Sequence, residues 1–210
     1  MQTLIQLFLH LDTSLAAIVQ QYGVWTYMII FIIIFCETGL VVTPFLPGDS
    51  LLFVLGAFAA ARILDLSLVI SIIIIAGVLG DMVNYHIGKM MGPKIFHSET
   101  NRFFNKKYLI KTQEFYETYG SKAIVIARFT PIIRTFAPFV AGMGKMKYTT
   151  FFFWNVLGAF LWAMSLTFAG YFFGNIPFVQ KNLTLMIVLI IALSLLPPCI
   201  EYVRARMKKR

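Results

Sequence analysis

The segment Phe35-Cys36-Glu37-Thr38-Gly39-Leu40-Val41-Val42-Thr43-Pro44-Phe45-Leu46-Pro47-Gly48-Asp49 sets two carboxylates and two prolines between stretches of nearly unbroken apolar sequence. A second segment, Arg128-Phe129-Thr130-Pro131-Ile132-Ile133-Arg134-Thr135-Phe136-Ala137-Pro138, has the same character with arginines in place of the acids. Proline lacks a backbone donor and clashes with the preceding helical turn, so both segments predict broken helices, with Pro44, Pro47, Gly48, Pro131 and Pro138 at the breaks. The apolar arms of the first, Val24 to Cys36 and Ser50 to Ala61, are each about 20 Å long as helix, short of the roughly 30 Å hydrocarbon core. A re-entrant hairpin therefore fits better than a straight span, with a strongly kinked span as the alternative. Asp49 before Ser50-Leu51-Leu52 reads as a helix N-cap. A charge near the bilayer centre costs at least about 2.5 kcal/mol on insertion scales. Glu37, Asp49, Arg128 and Arg134 on broken helices thus point to a lined cavity, and to transport of a charged lipid or ion.

The composition agrees with a membrane setting. Of 210 residues, 59% are hydrophobic and 13% charged, against about 25% charged in soluble domains. The length suits a single polytopic membrane domain spanning residues 1–210. Met1-Gln2-Thr3-Leu4 carries no positive n-region, so the N-terminus is expected to remain in the mature protein. Cys36 and Cys199 both lie in apolar stretches and imply packing rather than a disulfide or thiolate site. His10, His86 and His97 have no second ligand at metal-binding spacing, so neither metal nor cofactor is expected.

The net charge of +9 is distributed as a topology signal. No Lys or Arg precedes Arg62. Basic residues gather instead in a central segment (Lys89, Lys94, Arg102, Lys106, Lys107, Lys111, Lys122) and in the tail Arg204-Ala205-Arg206-Met207-Lys208-Lys209-Arg210. The positive-inside rule places both in the cytoplasm, which removes the case for a nucleic-acid partner.

With these anchors the chain divides into an amphipathic helix at 3–21, lying on the membrane or lining the bundle, and a first hairpin at 24–61. A spanning helix at 66–90 and a cytoplasmic or interfacial segment at 91–121 follow. In the latter, Tyr108 to Tyr119 forms a helix stopped by Gly120. The second hairpin occupies 122–147, with arms of about ten residues, or roughly 15 Å, enough to reach the midplane and return. Spans at 149–174 and 183–203 lead to the basic tail at 204–210. Each half is then a prolyl hairpin followed by a spanning helix with glycines near its ends, Gly77, Gly88 and Gly92 in one and Gly158, Gly170 and Gly174 in the other. The charge asymmetry gives the halves opposite orientation. The expected fold is an all-α polytopic membrane protein with two oppositely oriented re-entrant hairpins in an inverted-topology repeat.

Residues 35–56 (FCETGLVVTPFLPGDSLLFVLG), the stretch Gly80-Asp81 through Tyr85 to Gly88, the run Ala127 to Gly142, and Asn155, Gly158 and Trp162 closely resemble the DedA family of bacterial inner-membrane proteins. The similarity covers nearly the whole chain. What the resemblance implies is a lipid translocase that moves undecaprenyl phosphate for carrier recycling, or phosphatidylethanolamine, in dependence on the proton motive force. It also implies functional roles for the positions of Glu37, Asp49, Arg128 and Arg134.

The residues support this reading on their own chemistry. Arginine keeps its charge and presents a planar fork of donors suited to a phosphate, which makes Arg128 and Arg134 the phosphate-binding candidates. The competing account is that Glu37 and Asp49 merely neutralise Arg128 and Arg134 across the hairpin tips. The two roles are compatible if substrate displaces a carboxylate. A desolvated Glu37 would couple protons to transport, and Asp81, on one helical face with Asn84, Tyr85 and Gly88, is a candidate relay or gate. An intramembrane lipid phosphatase or phosphotransferase is the alternative from another class, but neither hairpin holds a nucleophile with an activating base. An assembly factor is the third reading. The expected partners are a phosphate-bearing polyprenyl lipid and protons, with self-association left open.

Overall fold

The computed structural model describes residues 23–40, 48–95 and 106–181. The predicted helix at 3–21, the span at 183–203, the basic tail, and Pro44 and Pro47 lie outside the described residues. Their regular elements are all helical: α1 (Val24–Gly39), α2 (Gly48–Ala60), α3 (Leu66–Ile95), α4 (Lys106–Tyr119), a 3-10 turn (Gly120–Lys122), α5 (Ala123–Ala127), α6 (Pro131–Met143), α7 (Tyr148–Gly174) and α8 (Pro177–Lys181). Two stretches, Leu66–Met91 and Tyr148–Gly174, are long and apolar enough to cross a membrane. The first coincides with the predicted span at 66–90, and its helix runs on to Ile95.

The element ends follow from local chemistry. Gly120 adopts φ +58°, the left-handed conformation that glycine reaches without steric cost, and so ends α4 where the sequence predicts a stop. Asp65 caps α3. Its Oδ1 accepts from the backbone N–H of Leu68 (2.9 Å) and from Ser67 Oγ (2.5 Å), while its own N–H donates to the Tyr27 hydroxyl (3.0 Å). At the far ends of α2 and α6 the same closure recurs, with a basic residue, Arg62 or Lys145, in the left-handed region. The N–H of the next residue reaches back five positions, Ile63 to the Phe58 carbonyl and Met146 to the Ala141 carbonyl, both at 3.0 Å.

The second broken segment differs from expectation in where it breaks. The interruption lies at Arg128–Thr130, where tight i to i−3 hydrogen bonds end α5. Thr130 is extended (φ −118°, ψ 105°) and Pro131 opens α6, because proline disfavours the helical conformation in the residue before it and is tolerated in the first turn. Pro138, predicted as a break, instead sits inside α6. It removes a single N–H from the ladder and is buried among packed side chains, so the helix continues through it. The arm before the break is correspondingly short, a 3-10 turn and five residues of α5. In the first segment, Gly48 is the first residue of α2 and Asp49 lies inside its first turn, not at the N-cap.

The chain divides into two compact units. One contains Met1–Met28, Pro47–Ile70 and Ser165–Arg210. In it α2 crosses the second half of α7 through glycines: a methyl group on Gly56 would overlap the Thr167 carbonyl, and one on Gly170 would overlap the Phe53 carbonyl. Gly174 extends the contact, since its added methyl would sit 2.7 Å from Ala57 Cα. The other unit contains Ile29–Leu46 and Ser71–Met164. There α6 crosses α3 in the same way, Gly142 against the Tyr85 carbonyl and Gly88 against the Phe139 carbonyl. Each crossing pairs Phe-x-x-Gly on one helix with a second glycine three residues past its contact on the other. Removing the side chain lets two backbones touch, which replaces the hydrophobic effect as the means of packing helices in lipid. A third approach in this unit joins α1 to α3, where Gly39 and Gly80 face each other. Phe136, Phe139 and Val140 of α6 pack there with Ile87 and Tyr116, and Tyr85 stacks on Phe151 with ring centroids 4.4 Å apart.

Candidate functional site

Five segments of the second unit, four helices and the break after α5, bring polar and charged side chains to one buried cluster. Helix α3 supplies Gly77, Asp81 and Asn84, spaced four and three residues apart and so on one face. Helix α7 supplies Asn155, Gly158 and Trp162, again at helical spacing. The break after α5 places Arg128, and the first turn of α6 places Arg134. Helix α1 contributes Glu37 and Thr38 from its last turn.

Arg128 is held from several sides. Its Nη2 donates to Asp81 Oδ2 in a buried ion pair, to Asn155 Oδ1 at 2.7 Å and to the Gly77 carbonyl at 3.4 Å. Asn155 is fixed in turn, its Nδ2 donating to the Val78 carbonyl at 3.1 Å. Arg134 forms a second ion pair, Nη2 to Glu37 Oε1, also largely shielded from solvent. Both guanidiniums face one indole: Arg134 Cζ lies 4.9 Å and Arg128 Cζ 5.7 Å from the ring of Trp162, which is 1% exposed. The electron-rich ring face attracts both cations. Two positive and two negative side chains thus balance in a desolvated space, where removing one partner leaves a buried charge uncompensated.

Asn84 ties the cluster's edges together. Its Nδ2 donates to the Thr38 carbonyl at the end of α1 (3.2 Å) and to the Thr135 carbonyl in α6 (2.9 Å). One amide on α3 therefore sets the positions of Glu37 and Arg134, the neighbours of those two carbonyls.

The sequence-predicted residues are partly brought together. Glu37 pairs with an arginine, Arg134, as the charge-balance account supposes. Arg128 takes Asp81, the residue considered as a relay or gate, as its carboxylate. Asp49 belongs to the first unit, while Glu37, Asp81, Arg128 and Arg134 belong to the second. Trp162, Asn155 and Asn84 acquire roles that sequence reasoning did not assign. For Asn84 a signal existed in the spacing, because Asp81 and Asn84 lie on one face of an apolar helix. Among the described residues no group of three or more His, Cys, Asp or Glu is placed to hold a metal ion.

Comparison with known proteins places the chain in a family. The family model described as the VTT domain matches residues 46–172. The chain is 56% identical over 203 residues to protein DedA of Escherichia coli K12, covering 96% of this chain and 93% of that one. It is 41% identical over 183 residues to an uncharacterized membrane protein of Mycobacterium tuberculosis H37Rv, covering 86% and 80%. To the inner membrane protein YqjA of Escherichia coli K12 it is 31% identical over 167 residues, covering 74% and 70%. No solved structure gives a significant match.

Proposed function

Because the chain belongs to the DedA family of VTT-domain membrane proteins, we propose that it is a translocase for a phosphate-bearing lipid, with undecaprenyl phosphate as the substrate. The observation that carries this reading is the pair of shielded arginines against one tryptophan ring, each matched to its own carboxylate. A guanidinium fork fits a phosphate monoester, and a carboxylate holds its place until the anion arrives. In this reading the protein sits in a bacterial inner membrane with its central basic segment and C-terminus in the cytoplasm. The broken segments are re-entrant hairpins, and the two halves form an inverted repeat. The recurrence of the same glycine crossing in each compact unit supports the repeat, since α2 lies on α7 in one and α6 lies on α3 in the other. Proton coupling is assigned to Glu37 and Asp49, and the protein moves its substrate without chemical change.

Reconstitution into liposomes with labelled undecaprenyl phosphate and phosphatidylethanolamine, with and without a pH gradient, tests this. Unaltered undecaprenyl phosphate should cross, and faster with the gradient. Movement of phosphatidylethanolamine alone would make the protein a phospholipid flippase, and release of inorganic phosphate would make it an enzyme. Movement of neither lipid would leave the charged cluster to an assembly role.

A further inference from the structure

We propose that the two arginines do unequal work: Arg128 is a fixed positioning residue, and Arg134 is the group that takes the ligand's anionic head in exchange for Glu37. The inference rests on the translocase reading and narrows its phosphate-binding step to one guanidinium.

Arg128 is enclosed by backbone on two edges. A methyl group on Gly77 would stand 3.3 Å from Arg128 Nη1, and one on Gly158 would stand 3.3 Å from Nε and 3.2 Å from Cδ. The side chain fits closely against both positions because neither carries a side chain of its own. The Nε group, on the edge facing Gly158, is buried without a hydrogen-bond acceptor. The remaining nitrogen, Nη2, is committed to Asp81, Asn155 and Gly77. An incoming phosphate would have to break these contacts to reach Nη2, and helix backbone stands on the Gly77 and Gly158 edges.

The two carboxylates differ in the same sense. Asp81 lies in the middle of the 30-residue helix α3, where its Cα cannot withdraw without breaking a spanning element. Glu37 lies in the last turn of α1, two residues before the helix ends at Gly39. The backbone of that turn is held by Asn84 and by the Gly39–Gly80 approach, so the exchange is a rotation of the longer Glu37 side chain away from Arg134, a motion the shorter Asp81 side chain in mid-helix does not have. Arg134 has the closer contact with Trp162. The ring face offers it a surface on which to turn from Glu37 to a ligand oxygen while keeping a favourable contact. The guanidinium of Arg128, immobile on the same ring, holds the indole in place and keeps the local potential positive once Glu37 has moved.

The test uses the full chain in phosphatidylcholine nanodiscs with dodecyl phosphate as the probe. Of the three tryptophans, Trp25 and Trp154 are changed to Phe so that Trp162 reports alone. Dodecyl phosphate should shift its emission saturably. Arg134→Lys should weaken binding about tenfold, equivalent to about 1.4 kcal/mol. Glu37→Gln should tighten it severalfold by removing the competitor, an outcome that a purely structural ion pair would not produce. Asp81→Asn should leave affinity unchanged or weaker, and Arg128→Lys should lower the unfolding temperature more than it changes affinity. Failure of Glu37→Gln to tighten binding overturns the assignment by itself, whether or not Asp81→Asn folds. Equal losses in the two lysine variants overturn it too, and both results leave the translocase reading standing. If dodecyl phosphate leaves the Trp162 emission of the parent unchanged and does not bind, the phosphate reading and this inference fall together.

Discussion

Asp81 and Arg128 form an ion pair across 47 residues of sequence, joining the middle of the long apolar helix α3 to the break that precedes α6. The pair is buried, so its value lies less in net attraction than in the penalty for leaving either charge alone. Asp81→Asn should therefore destabilise the protein by roughly 3–5 kcal/mol. Combining it with Arg128→Met should recover much of that loss, since the stranded cation is gone. Denaturation of all three variants in detergent measures both effects. A double variant no more stable than Asp81→Asn would show that packing around Arg128, not charge balance, dominates.

The glycine crossings make a second expectation. An added methyl at Gly56 or Gly142 meets a carbonyl oxygen of the facing helix, which cannot move without parting the helices. Gly56→Ala and Gly142→Ala should each cost about 1–3 kcal/mol. Gly120 is constrained differently: nothing crowds its Cβ position, but its φ is +58°. Gly120→Ala should cost about 1 kcal/mol and Gly120→Asn distinctly less, because asparagine tolerates the left-handed region. Rescue by asparagine at Gly142 as well would contradict the steric account.

Asp65 provides a pH signature. Its carboxylate accepts from Ser67 and Leu68, and these bonds hold its pKa below the ordinary aspartate value. The folded value lies under the unfolded one, so the cap stabilises fully above the unfolded value of about 3.9 and is lost as pH falls through the folded value. The gap in unfolding temperature between the parent and Asp65→Ala should be widest at neutral pH and close on strong acidification. A gap equally wide at pH values below the folded value would mean that Asp65 acts other than through its charge.

Proton coupling through the acids of the first broken segment is tested by Glu37→Gln and Asp49→Asn. Each should blunt the response of lipid transport to a pH gradient more than it lowers thermal stability. Two folded variants with the parent's pH response would remove both acids from the coupling role.

Much of the architecture was legible because it follows from local rules. Apolar run length marks 66–90 and 149–174 as long apolar helices, and Gly120 marks the end of α4. All depend on residues within a few positions of one another. Pro138 was misread because a proline's effect depends on its surroundings, and a buried helix can lose one hydrogen bond and continue. The charged site was legible as a set of residues but not as a set of pairs. Charge and segment alone made Glu37 and Asp49 the natural partners of Arg128 and Arg134. Which carboxylate meets which guanidinium is decided by how the helices pack, with Gly77 on α3 and Gly158 on α7 leaving room for Arg128 beside Asp81. Sequence by itself determined that this chain lies in a membrane and carries buried charges of both signs. Only the tertiary structure decided that Asp81 belongs to Arg128, Glu37 to Arg134, and Trp162 to both, because ion pairing is a matter of a few ångströms between elements far apart along the chain.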